Sequence, residues 1–93
     1  MDEAIKKDLE TAVRILKEFG AKEVYLFGSQ ADGTATKGSD LDLAVSGIPP
    51  EIYYHACGEV MMSIDHEVHI VDLDSSSPFI EYLKTSGELQ SVG

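Results

Sequence analysis

The sequence predicts an α/β fold, of the α+β kind: a small mixed β-sheet with helices packed on it. Three observations predict it. Segments with helical periodicity alternate with short apolar, β-rich runs, in the order α-β-loop-β-α-β-α. The link between the first two β-runs has about a dozen residues, too few for a crossover helix, so those strands are expected to run antiparallel. The chain of 93 residues is 43% hydrophobic, enough for one modest core, so residues 1–93 are expected to form a single domain.

The elements follow in order. Residues 4–19 place Ile5, Leu9, Ala12, Val13 and Leu16 at helical spacing, with Lys6, Lys7, Glu10, Arg14, Lys17 and Glu18 mostly off that stripe. Gly20 is the stop signal. Val24 to Phe27 are wholly apolar, as a strand covered on both faces requires. Residues 28–38 form a glycine-, threonine- and serine-rich loop with room for a helical turn after Ser29. Asp40 to Ser46 read as the next strand, with Leu41, Leu43 and Val45 on one side and Asp40, Asp42 and Ala44 on the other.

Proline at the entry marks a helix over residues 51–62. Ile52, Ala56 and Val60 form its stripe, extended by Tyr53, Cys57 and Met61. Residues 67–73 are a third strand. Ser77-Pro78 then read as a cap and first helical residue for a short helix ending near Leu83 or Lys84, before Gly87. Residues 88–93 read as a frayed tail.

Composition narrows the function classes. Seventeen acidic and seven basic residues leave a formal charge of −10, which repels nucleic-acid phosphates and favours divalent cations. Cys57 is the sole cysteine, so no internal disulfide forms, and its spacing to Met61 suggests a buried small residue. The absence of a leader-like start or a long apolar span leads to the expectation of a soluble cytoplasmic protein with no membrane partner.

The chemistry concentrates between Gly28 and Val45. A glycine after a strand, followed by serine, lets the backbone approach a ligand, and a helical turn starting there points free N–H groups at an anion. Asp40 and Asp42 stand at i and i+2 of a strand, so their carboxylates share one face. Two such carboxylates repel each other and lose solvation, which a cation relieves. Mg²⁺ takes carboxylate oxygens and keeps positions for phosphates. Lys37 is the only basic residue of that loop. His55 and His66 read as surface residues.

Gly28-Ser29, then Gly33, then Ser39-Asp40-Leu41-Asp42 resembles the signature of the nucleotidyltransferase superfamily that includes DNA polymerase β. The likeness is strongest to the minimal nucleotidyltransferases, and it extends over nearly the whole chain. It implies a nucleotidyltransferase-like fold and phosphate binding by Gly28, Ser29 and Ser39. It implies Mg²⁺ on Asp40 and Asp42, and transfer of a nucleoside monophosphate, AMP from ATP above all, to a hydroxyl. Many minimal members resemble antitoxins paired with a HEPN-type protein, so the resemblance implies such a partner, with a homodimer as the other assembly.

The pattern departs in two places. The family usually carries a third carboxylate on the later strand, where this chain has His69. Three readings stay open: His69 works in its place as a catalytic residue beside Asp40 and Asp42; Glu67 or Asp65, of the same strand parity, supplies the carboxylate; or the protein binds nucleotide or partner without turnover. Gln30 stands where an arginine often follows Gly-Ser, which removes one expected charge from the phosphate site.

Overall fold

The computed structural model describes residues 3–35 and 40–93. Helix α1 spans Glu3–Glu18, strand β1 Glu23–Phe27, a single helical turn α2 Ser29–Asp32, and strand β2 Leu41–Ser46. Helix α3 spans Pro50–Ser63, strand β3 Val68–Asp72, helix α4 Pro78–Ser86, and strand β4 Gln90–Ser91. The sheet order is β3-β2-β1-β4. As the short link requires, β1 and β2 are antiparallel, while β2 and β3, joined through α3, are parallel.

The sheet buries both faces unequally. Leu41, Leu43, Val45, Val24 and Leu26 project onto α1 and α3, meeting Leu9, Ala12 and Leu16 from one helix and Ala56 and Val60 from the other. On the opposite face Ala44 and Leu73 pack under Ile80 and Leu83 of α4, flanked by Tyr25, Phe27 and Leu89. Helix α4 thus covers the end of that face where β2 finishes. The end where β2 begins, bearing Asp40 and Asp42, lies beyond α4, and both aspartates are partly exposed.

Four expectations are corrected. Residues 88–93 are not frayed: β4 pairs antiparallel with β1, and the Val92 N–H donates to the Val24 carbonyl at 2.9 Å. An unfilled edge of β1 recruits the tail, and Val92, partly buried, packs against the main core. Met61, expected to extend the α3 stripe, is exposed, and Ile15, left out of the α1 stripe, is buried. His66 is half-buried, with Nδ1 2.6 Å from Asp8 Oδ2. Helix α4 runs two residues further than expected, to Ser86, and stops at left-handed Gly87. Cys57 is buried as expected, and burial pushes its thiol pKa up, which makes it a poor nucleophile.

Candidate functional site

The antiparallel register sets Phe27 opposite Asp42, so the chain leaving β1 turns directly over that carboxylate. The turn is Gly28, at φ 74° and ψ −156°, a backbone conformation closed to residues with a side chain. A Cβ placed there would strike Asp42 Oδ2 and lie 3.3 Å from Cγ. Glycine is therefore demanded twice, by dihedral and by space. The chain then coils into the expected single turn: the amides of Ala31 and Asp32 both donate to the Gly28 carbonyl at 3.1 Å. As the first residue of that turn, Ser29 has an amide with no intrahelical acceptor.

Parallel pairing places His69 across from Asp42. Its Nε2 lies 3.2 Å from Asp40 Oδ2 and its Nδ1 3.9 Å from Asp42 Oδ1, so one imidazole contacts both carboxylates and forms ion pairs with them when protonated. Asp42 is the most covered of the three and His69 the least. Burial raises the Asp42 pKa above its ordinary value; the His69 charge works against that shift and the Asp40 charge adds to it.

Asp40, Asp42, His69, Gly28 and Ser29 thus gather at one end of the sheet. Ser39 and Lys37 lie outside the described residues. Asp65 and Glu67 are both exposed, and neither forms an ion pair or side-chain hydrogen bond with the aspartates among the described residues. Among those residues, no three His, Cys, Asp or Glu side chains are placed to hold a metal ion together. The two aspartates nonetheless fit a cation by their chemistry: adjacent carboxylates, one with its charge disfavoured by burial, supply hard oxygen donors and leave positions for phosphate oxygens.

A cavity of about 490 Å³ adjoins the Gly28 turn, lined by Gly28, Ala31, Asp32, Glu88, Leu89 and Gln90 among others. The contribution of Glu88 to Gln90 is invisible in the sequence, because nothing local says that the tail returns to β1. A larger cavity, about 690 Å³, lies at the far end of the same face between Lys22, Ser46 and Lys84, away from the carboxylates.

The chain belongs to the nucleotidyltransferase domain family, whose sequence profile matches residues 9–86. Its fold is similar to that of a toxin–antitoxin complex solved with AMP-PNP: TM-score 0.69, 23% identity, covering 88% of this chain and 69% of that one. It is also similar to an MNT antitoxin in complex with a tri-AMPylated HEPN toxin from Shewanella oneidensis, at TM-score 0.64, 19% identity, and 92% and 69% coverage. A nucleotidyltransferase-like protein from Sulfolobus solfataricus gives TM-score 0.53, 15% identity, and 98% and 86% coverage. No curated protein matches the chain in sequence.

Proposed function

We propose that this protein, acting as one domain over residues 1–93, transfers AMP from ATP to a hydroxyl of a HEPN-type partner protein, as an antitoxin does. The observation that carries this reading is the placement of the Gly28 turn directly over Asp42, with Asp40 beside it. Phosphate-binding backbone and cation-binding carboxylates then serve one ligand. Gly28 and Ser29, joined by Ser39, hold the triphosphate, and Asp40 and Asp42 hold Mg²⁺. A bound Mg²⁺ supplies neutralisation of the phosphate charge and of the charge that develops on transfer. The acceptor oxygen bonds to the α-phosphorus, the bond to the β-phosphate oxygen breaks, and pyrophosphate leaves. His69, the most exposed of the three side chains, takes the acceptor proton. The solved antitoxin complex with a tri-AMPylated HEPN toxin supports the choice of nucleotide and acceptor. The reaction fits a cytoplasmic setting, where ATP is abundant.

A second reading has its own support: a subunit that binds nucleotide or partner without turnover. His69 rests against both aspartates in the place of the family's third carboxylate, and no three-residue metal cluster forms among the described residues. Labelled ATP, Mg²⁺ and the protein encoded by the adjacent gene distinguish the two. Label transfer that vanishes in Asp42→Asn supports the transferase. An intact complex without transfer or metal-dependent ATP binding overturns it. A rise in turnover for His69→Asp would show that histidine only weakens the site; a fall would show that it takes part.

A further inference from the structure

Helix α3 is apolar on the wrong side. Ala56, Cys57 and Val60 point into the molecule, yet Tyr54, Met61 and Met62 point outward at 83%, 55% and 85% exposure. Large apolar side chains gathered on the solvent side of a helix mark a surface that another molecule covers. Gly58 sits between these side chains on the same outward face. A Cβ there would meet nothing within 4 Å, so no contact among the described residues calls for a helix-weakening glycine. It leaves a flat spot where another backbone can come close.

Charge says what comes close. Between Lys37 and Lys84 the chain has nine Asp and Glu residues and no Lys or Arg. That stretch contains β2, α3 and β3, and on α3 it leaves Glu51 and Glu59 exposed, with His55 Nε2 3.9 Å from Glu59 Oε1. A second copy would set one acidic face against another. Strand addition is also obstructed. Leu41 N–H donates to the Glu67 carbonyl and Leu73 N–H to the Val45 carbonyl, so the odd-numbered residues of β3 bond to β2 and the even-numbered ones face the outer edge. There the Ile70 carbonyl is taken by the Tyr53 hydroxyl at 3.2 Å, and the Asp72 carbonyl by the Ser75 amide and hydroxyl at 3.2 and 2.7 Å. A groove of about 410 Å³ between Tyr53, Tyr54, Ile70 and Val71 remains open to side chains.

We propose that the outward face of α3, with this groove, is the docking surface for a basic protein partner that presents an apolar helix face flanked by Lys or Arg. The inference draws on the partner-modifying reading only for what docking achieves: it brings an acceptor hydroxyl to a domain with little surface for recognising one. The surface itself stands on exposure, on Gly58 and on charge.

The test uses an amphipathic Leu/Lys helical peptide, a Leu/Glu peptide of the same pattern, and the protein without nucleotide or metal. The Leu/Lys peptide should bind in low salt and weaken as salt rises, the Leu/Glu peptide should not bind, and amide shifts should concentrate on α3 and outer β3. Met61→Ser/Met62→Ser and Glu51→Lys/Glu59→Lys should each lower affinity about tenfold or more. Gly58→Gln should raise the melting temperature while weakening binding, which separates interface loss from unfolding. Three results would overturn the proposal: no binding, shifts centred on Asp40 and Asp42, or self-association of the wild type that the methionine variant abolishes. Asp42→Asn should keep peptide binding whatever becomes of transfer, so failure of the surface and failure of the enzyme are told apart.

Discussion

At Asp42 function and stability pull against each other. Desolvation raises its pKa in the folded protein, against the opposing pull of His69, so the folded state holds its proton more tightly than the unfolded chain does. Ionisation therefore costs stability. The cost is absent below the unfolded value of 3.8 and enters as pH rises from there through the raised folded value. Asp42→Asn should accordingly raise the metal-free melting temperature at pH 7 by a few degrees, corresponding to less than about 1 kcal/mol. A matched melt at pH 3 should show little difference. Gly28→Ala should act in the opposite direction. Its left-handed backbone and the Asp42 carboxylate both exclude a methyl group, so a loss of about 1–3 kcal/mol in urea unfolding is expected, together with weakened nucleotide binding. Both residues were legible in the sequence, because a glycine that ends a strand and two carboxylates at i, i+2 are local patterns. No local pattern carries the contact of His69 with both aspartates; the family resemblance brought it beside them, and the β2–β3 register makes the contact.

Among elements, the join between α1 and the loop entering β3 carries a tie with no local signature. Asp8 Oδ2 accepts from the amides of Asp65 and His66 at 3.0 and 3.1 Å and pairs with His66 Nδ1. Burial opposes ionisation of Asp8, but the hydrogen bonds from His66 and Asp65 outweigh it and lower the pKa. The folded value lies below the unfolded one, so this stabilisation is present above pH 3.8 and is lost as pH falls through the lowered value. Asp8→Ala should cost about 1–2 kcal/mol at pH 7, with the difference shrinking in urea melts at pH 3 and below. The partners lie 57 and 58 residues apart, which is why His66 read as a surface residue. Strand β4 was missed for a similar reason: two residues show no periodicity, and only the open edge of β1 makes them a strand. Removing residues 88–93 should lower stability by about 2 kcal/mol through loss of the Leu89 and Val92 contacts, and should promote aggregation through the bared β1 edge. Light scattering after heating would detect the second effect. The long helices and three longer strands were legible because their apolar runs are long enough to show a period.

For the whole molecule, a charge of −10 on 93 residues means that any salt should stabilise the fold by screening self-repulsion. Screening depends on ionic strength, whereas a carboxylate pair that binds one ion depends on which ion is present. Melting temperatures in NaCl and MgCl₂ at matched ionic strength separate the two. If Asp40 and Asp42 hold Mg²⁺, the wild type should melt higher in MgCl₂ by an amount that grows with the logarithm of concentration above the dissociation constant. Asp40→Asn/Asp42→Asn should then melt at the same temperature in both salts, while keeping the rise common to both. Equal melting of the wild type in the two salts would show that the carboxylates act only as two more negative charges. A magnesium increment that survives the double substitution would place the ion elsewhere on the acidic surface. The measurement needs neither nucleotide nor partner, so it tests the cation site on its own.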